Sequence, residues 1–176
     1  VAATVENSRR TRQPFSTRHR IVDTAGQVHD VLVVGVALHD DTTGEVIGTP
    51  TYMGGPSWQF KKFADASSKA WFTRAWQDKV FGAFTNSPSP VGDKGATMIQ
   101  LQTLASQHGG IWVSLGMLPS NTKAATHSDS NHLGGSVGLL VRSPSDASVD
   151  EIPQGDLDTA KAYGVRVAEV SRKLRA

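Results

Sequence analysis

The sequence predicts an α/β fold in which an open parallel sheet carries helices on both faces, in three layers. Residues 31–38 are continuously apolar rather than alternating, which is typical of a strand covered on both sides. The runs at residues 80–84 and 111–115 are similar: short, mainly apolar and rich in β-forming residues. Helical patterns separate the later runs and follow the last one. Such alternation indicates parallel strands joined by right-handed crossovers.

Three helices are expected between and after these strands. The first begins at Gly55 and Pro56, which suit a cap and a first helical position, and the second occupies residues 94–107 with Gly109 placed to end it. The third begins at Asp156 as its N-cap, and basic residues near its far end suit the helix dipole. The apolar face of the first helix comprises Trp58, Phe60, Phe63, Ala64, Ala66 and Ala70.

Length and composition limit the class of protein. The chain has 176 residues and no cysteine, which favours a single domain over residues 1–176 and excludes disulfides, thiolate metal sites and cysteine nucleophiles. No apolar run reaches the roughly 18 residues of a membrane span, and no signal peptide is visible. We therefore expect a cytoplasmic protein.

Positive charge is concentrated at the start of the chain. Residues 1–20 hold five of the 18 basic side chains and one of the 16 acidic ones, so that the remainder holds 13 basic and 15 acidic side chains. An arginine-rich end can bind nucleic acid through its phosphates. Because no aromatic interleaving accompanies the arginines, a solvated terminus is the favoured interpretation and nucleic acid is not an expected partner.

In open parallel sheets the ligand lies beyond the carboxyl ends of the strands. Three loops are expected at that edge: residues 48–55, residues 85–95 and the stretch after Gly116. The first reads GTPTYMGG, where glycines allow a close backbone approach and Tyr52 with Met53 offers a flat apolar contact. This combination suits a planar heteroaromatic ring. The alternative is a tight turn with Tyr52 packed on the core.

Other candidate groups carry weaker signals. His108, at a helix end, could meet a ligand or cap a carbonyl. His127 and His132 occur with Asp129, but their spacing matches no established ligand pattern, and no metal is expected. The loop at 85–95 contains no GxGxxG or GxxxxGK[ST] motif, and the chain has no GxSxG elbow that would indicate a hydrolase.

Several stretches together resemble one known family. They are GTPTYMGGPSWQFKKFAD, the following Trp71, VFGAFTNSPS, LASQHGG and LGGSVG. In this order they are similar to the flavodoxin-like, WrbA-type NAD(P)H:quinone oxidoreductases. The resemblance covers about residues 46–175, and PTYMG with the downstream His-Gly is its most specific part.

The resemblance implies a flavodoxin-like fold that holds FMN non-covalently, with hydride passing from NAD(P)H to the flavin and then to a quinone. The flavin carries this chemistry, so no catalytic residue is named. Homo-oligomers, dimers or tetramers whose sites draw on neighbouring subunits, are also implied. Trp71 would border the substrate pocket. The implied cofactor contacts are Pro50, Thr51, Tyr52, Met53, Gly54, Asn86, Ser87, Pro88, Ser89 and His108.

One part of the family pattern is missing from residues 1–45. The family begins with a strand and a loop rich in Ser, Thr and Gly that binds the FMN phosphate at a helix N-terminus, and no such loop is recognisable here. The sequence leaves three explanations open: the family's usual beginning lies outside this sequence, residues 7–44 replace it, or flavin has been lost. A one-electron flavodoxin carrier and a non-catalytic flavodoxin-like protein therefore stay as alternatives to the reductase.

Overall fold

The structure, a computed structural model, describes residues 15–22, 28–35 and 44–175. Backbone contacts divide the chain into two units, Val1–Asp41 and Thr42–Ala176. The prediction of one domain over residues 1–176 stays a prediction.

The first unit contains an antiparallel pair of strands, β1 (Phe15–Val22) and β2 (Val28–Gly35). Their register runs from Phe15 opposite Gly35 to Val22 opposite Val28. The sequence prediction of a parallel-sheet strand at residues 31–38 was therefore wrong in its pairing, and residues 36–38 lie outside the described part. A five-residue connection can join antiparallel strands, whereas a parallel pair needs a long crossover.

The second unit is built from a five-stranded sheet and four α-helices. Its strands are β3 (Glu45–Tyr52), β4 (Gly55–Pro56), β5 (Val80–Ser87), β6 (Ile111–Trp112) and β7 (Leu139–Arg142). Its helices are α1 (Trp58–Ala66), α2 (Ser68–Phe72), α3 (Lys94–Gln107) and α4 (Gln154–Arg175), with a 3₁₀ turn at Val149–Glu151.

Strand β5 is the centre of the sheet. On one side it pairs in parallel with β3, from Glu45 opposite Phe81 to Pro50 opposite Asn86. On the other side it pairs in parallel with β6 near its start and with β7 near its end. The edge strand is thus split into two pieces, and residues 113–138 leave the sheet between them.

Two apolar clusters cover the two faces of this sheet. On one face α4 packs its Tyr163 and Val167 against the sheet, and on the other α3 packs Met98 and Leu101 against Ala83. Since side chains of a strand point alternately to opposite faces, β5 contributes to both clusters. The mostly parallel sheet between helical layers confirms the predicted α/β fold class.

The hydroxyl of Tyr163 is part of the sheet's hydrogen bonding. It donates to the carbonyl oxygen of Val113 at 2.6 Å and accepts from the backbone N–H of Ala83 at 3.2 Å. The side chain therefore joins β5 to the backbone that follows β6, at the level where the edge strand is interrupted. Burial raises the pKa of Tyr163 to about 12.

Helix boundaries were predicted with mixed success. The prediction of residues 94–107 is confirmed to the residue by α3. Gly55 and Pro56 do not begin α1: they form β4, and Ser57 is the N-cap, whose hydroxyl accepts from Phe60 N–H at 3.4 Å. Asp156 is not the N-cap of α4 because the helix begins at Gln154.

Candidate functional site

The GTPTYMGG stretch is a β-hairpin rather than an open loop. Strand β3 continues to Tyr52, which pairs with Gly55 across a two-residue turn at Met53 and Gly54. Both turn residues have positive φ, 49° and 79°, as in a type I′ turn, whose twist matches that of the flanking strands. A methionine in this conformation carries some backbone strain, which is often found where a chain presents a side chain to a ligand.

The hairpin exposes its apolar side chains. Tyr52 is 60% and Met53 92% exposed. The alternative that Tyr52 packs on the core is therefore wrong. An aromatic ring and a polarizable thioether, both exposed, thus follow one another at the carboxyl end of β3 and are candidates to contact a planar ligand.

A group of hydroxyls fixes the base of the hairpin. The Thr51 hydroxyl lies 2.8 Å from the hydroxyl of Thr85 on β5 and donates to that of Thr97 on α3, also at 2.8 Å. Thr85 in turn donates to the carbonyl oxygen of Thr49 at 2.8 Å. Thr51, predicted to contact a cofactor, therefore directs its hydroxyl into the protein, and only its backbone is left for a ligand.

The second predicted loop begins next to the hairpin. Pro50 lies opposite Asn86 in the parallel register, so the ends of β3 and β5 are neighbours. The Asn86 amide donates to the Ser143 hydroxyl at 2.6 Å, whereas its buried Oδ1 has no hydrogen-bond partner among the described residues. A buried acceptor without a partner is a candidate for a hydrogen bond from a group that the described residues do not supply.

The loop that follows β5 is closed around one lysine. Pro88, Ser89 and Pro90 are exposed, but Lys94, the first residue of α3, is fully buried. Its ammonium group donates to the carbonyl oxygens of Ser89 and, at 3.3 Å, of Pro90. Sequence reasoning missed this residue, because a lysine at a helix start ordinarily faces water.

Three charged groups meet beneath this loop. The Asp156 carboxylate accepts from the backbone N–H of Arg142 at 2.8 Å, and the Arg142 side chain donates to the carbonyl oxygen of Pro88 at 3.1 Å. Burial lowers the pKa of Lys94, partly offset by the charge of Asp156, and burial likewise raises the pKa of Asp156. The sequence prediction that Asp156 caps a helix was wrong: its partner is the end of β7.

His108 and Trp71 lie away from the hairpin within this chain. Gly109, next to His108, accepts from the N–H of Asp78 at 3.0 Å, which places His108 near the start of β5. Asn86 is about 20 Å further along that strand, at about 3.3 Å per residue. The His108 ring is buried and forms a hydrogen bond with the Ser67 hydroxyl. Trp71 is half exposed and lies one helical turn beyond Ser67.

The second histidine cluster is a local polar structure. The rings of His127 and His132 meet edge to face with centroids 4.4 Å apart. The carboxylate of Asp129 accepts from the N–H and hydroxyl of Thr126, and these bonds hold the pKa of Asp129 below its usual value. Across the described residues, no group of three or more His, Asp or Glu is placed to hold a metal ion. In that same part of the chain no helix is long and apolar enough to span a membrane.

Comparison with known proteins gives one consistent group. The model of the family NADPH-dependent FMN reductase matches residues 36–125. The chain is 59% identical to "Flavodoxin FldP" of Pseudomonas aeruginosa over 79% of this chain and 76% of that protein. It is 31% identical to an "NAD(P)H dehydrogenase (quinone)" of Archaeoglobus fulgidus over 73% of this chain, which spans 59% of that relative.

A solved structure supports the same group. It is described as "the flavodoxin, WrbA-like protein from Agrobacterium tumefaciens", with 44% identity and a TM-score of 0.57 over 88% of this chain and 80% of that one. The predicted flavodoxin-like fold and the resemblance to WrbA-type proteins are confirmed.

Proposed function

We propose, from the premise that this chain belongs to the family of NADPH-dependent FMN reductases, that it binds FMN and reduces a quinone with NAD(P)H. The observation that carries the proposal is the exposed Tyr52–Met53 turn at the end of β3, a strand whose Pro50 lies opposite Asn86. The Asn86 Oδ1 atom has no hydrogen-bond partner among the described residues. A reductase using NAD(P)H belongs in the cytoplasm, where that nucleotide is supplied. All residues proposed to contact the flavin ring lie in the part of the chain that the structure describes.

The residues at this edge fit a flavin ring by their chemistry. An isoalloxazine ring has a broad apolar face, carbonyl oxygens on its rim and one ring N–H. Tyr52 and Met53 suit the face, the Asn86 Oδ1 suits the N–H, and the backbone of Ser87, Pro88 and Ser89 would line the rim. Bound FMN would supply hydride acceptance and donation, and these residues would bind and orient the ring.

Two residues predicted to contact the ligands, His108 and Trp71, lie apart from this edge of the sheet within one chain. His108 and Trp71 lie toward the amino ends of the strands, so within one chain they do not meet the ring. In our proposal Trp71, which is half exposed, reaches the substrate pocket of a neighbouring subunit in a dimer or tetramer. His108 is held inside its own chain.

The first experiment is a titration of the dialysed protein with FMN, followed by visible absorption and flavin fluorescence. NADH or NADPH oxidation is then measured with and without a benzoquinone. Quinone-dependent oxidation that requires added FMN supports the proposal. Tyr52→Ala should weaken FMN binding, whereas the control Val165→Ala, on the outer side of α4, should not. Protein that binds no FMN contradicts the proposal and favours a non-catalytic member of the fold.

A second candidate is a one-electron carrier that serves a protein partner. It is favoured by the name of the relative with 59% identity, a flavodoxin. The near-neutral charge of the chain argues against it, because strongly acidic surfaces commonly steer such carriers to their partners. Stepwise reductive titration separates the two: two resolved one-electron steps favour the carrier, and a single two-electron step favours the reductase.

A further inference from the structure

The position of Lys94 is unfavourable for a lysine in two respects. It is fully buried, and it is the first residue of α3, where the helix dipole presents its positive end. Its side chain therefore needs compensating acceptors, and it finds them in the carbonyl oxygens of Ser89 and Pro90 and in the nearby charge of Asp156. If this position served only to stabilise the N-terminus of α3, an acidic residue would be expected there.

Three successive carbonyl groups of the loop point toward cations. The carbonyl oxygen of Pro88 accepts from the Arg142 side chain, and those of Ser89 and Pro90 accept from Lys94. In a trans peptide the C=O of one residue and the N–H of the next point in opposite directions. The N–H groups of Ser89 and Val91 therefore face away from the cations, toward the exposed side of the loop.

The end of the loop returns to the same lysine. Gly92 and Asp93 both have positive φ, 50° and 54°. A Cβ atom on Gly92 would lie 2.2 Å from the Ser87 hydroxyl oxygen and 3.4 Å from the Lys94 nitrogen, so only glycine fits at this point. The chain from Ser87 to Lys94 thus closes around the ammonium group.

We propose that Lys94 is a positioning residue that fixes the loop 88–92 so that the N–H groups of Ser89 and Val91 are presented to acceptor atoms of the bound flavin ring. This inference rests on the proposed function for the identity of the ligand. The shape of the loop, by contrast, is a property of the ligand-free protein. Arg142 assists by holding the carbonyl group of Pro88.

The experiment compares Lys94→Met with Arg142→Met and with the control Lys161→Met, which removes an exposed charge from α4. Hydrogen exchange of the ligand-free proteins is measured for two peptides. One covers residues 91–97, where the N–H groups of Lys94, Ala96 and Thr97 donate to Val91 O and Asp93 O, and the other covers 98–105. FMN and lumiflavin, which has the ring without ribityl or phosphate, are then titrated into each protein. Loss of a hydrogen bond to a charged group at one site corresponds to about a tenfold change or more.

We expect Lys94→Met to speed exchange in residues 91–97 about tenfold, to leave 98–105 unchanged, and to weaken FMN and lumiflavin binding by the same factor. Arg142→Met should show a smaller effect of the same kind, and Lys161→Met none. Unchanged loop exchange, or unchanged flavin affinity in a folded variant, overturns the proposal. Faster exchange in both peptides also overturns it, because Lys94 would then be merely structural, and Arg142→Met repeats the test if Lys94→Met does not fold.

Failure of the proposed function gives a different pattern. If the unmodified protein binds neither FMN nor lumiflavin, the flavin assignment fails whatever the variants do. The exchange of residues 91–97 still decides whether Lys94 holds the loop.

Discussion

The Nε2 atom of His108 and the hydroxyl oxygen of Ser67 lie 2.8 Å apart, and the hydrogen bond between them joins the end of α3 to the end of α1. The Ser67 hydroxyl donates its single proton to the carbonyl oxygen of Ala64 at 2.7 Å. The ring must therefore donate through Nε2, which leaves Nδ1 as a bare acceptor. Nδ1 is buried and has no partner among the described residues.

Acid should destabilise the protein through His108. Protonation would place an N–H at Nδ1 with nothing to accept it, and burial lowers the pKa of His108 below its usual 6.5. Between the folded pKa and 6.5 the unfolded chain binds more protons, so the free energy of unfolding rises with pH in that window and levels off above it.

Urea unfolding at about pH 5, 6 and 7.5 tests this expectation. His108→Gln can still donate to Ser67 but does not titrate, so its stability should approach that of the unmodified protein as the pH falls. The other histidines are the same in both proteins, so their contributions cancel when the two free energies of unfolding are subtracted. Parallel pH curves for the two proteins would show that His108 carries no acid sensitivity.

Alkali should destabilise the protein through Tyr163. Its pKa, about 12 in the folded state against 10.0 ordinarily, means that the stability it contributes is fully present below pH 10 and is lost as the pH rises from 10 to 12. The difference corresponds to about 2–3 kcal/mol.

Tyr163→Phe should lower the free energy of unfolding at pH 7 by about 2–4 kcal/mol, because Val113 O and Ala83 N–H both lose a buried partner. Its unfolding free energy should fall less steeply than that of the unmodified protein between about pH 10 and 11. Denaturant unfolding at three alkaline pH values measures this. An equally steep fall in the variant would mean that Tyr163 is not the titrating group.

Substitutions at the hairpin turn should separate stability from ligand binding. Tyr52 is 60% exposed and pairs with Gly55 only through its backbone, so Tyr52→Ala should change the free energy of unfolding by less than about 0.5 kcal/mol. Loss of an aromatic contact should weaken FMN binding by about tenfold. Thermal unfolding and flavin fluorescence measure the two effects. A large loss of stability would mean that the ring packs on the protein after all.

The cluster of hydroxyls beneath the hairpin, from Thr51, Thr85 and Thr97, should contribute measurably to the free energy of unfolding. Thr85→Val keeps the shape of a fully buried side chain but removes its hydrogen bond to Thr49 O and the 2.8 Å contact of its hydroxyl with Thr51 Oγ1. We expect a loss of about 1–3 kcal/mol in the free energy of unfolding. Thr103→Val is the control, because this exposed hydroxyl bonds only within α3 and its removal should change stability little. Equal effects of the two substitutions would contradict the role given to the buried group.

The sequence predicted best where local signals decide the structure. Helix α3 was predicted to the residue because a loop rich in turn residues precedes it and Gly109, with φ 74°, follows it. Gly55 and Pro56 were misread because the pair also suits a helix start, and only the pairing with β3 makes them a strand. The pairing of residues 28–35 was misjudged for a related reason: apolar continuity indicates a strand but not its partner.

Features that depend on distant neighbours could not be predicted. Lys94 is buried where the charges of Arg142 and Asp156 act on it, and these residues follow it by about 50 and 60 positions in the chain. The interruption of the edge strand after Trp112 could not be predicted either, because residues 111–115 are apolar except for Ser114. The site residues named in the two loops stay predictions, and the groups that support these loops were not predicted.

The edge strand is split into β6 and β7, and the segment between these two strands is a long insertion in the sheet. Its two ends are held close together where Leu115 N–H donates to Ser136 O at 3.0 Å and the Trp112 indole donates to Val137 O at 2.8 Å. The closure entropy of such a loop changes only slowly with its length. Natural divergence or protein engineering can therefore lengthen or shorten the exposed stretch 121–124 while β5 keeps every strand that flanks it. Buried Asn131, which donates to Met117 O and Gly135 O at 3.0 Å, ties the rest of the segment to the fold.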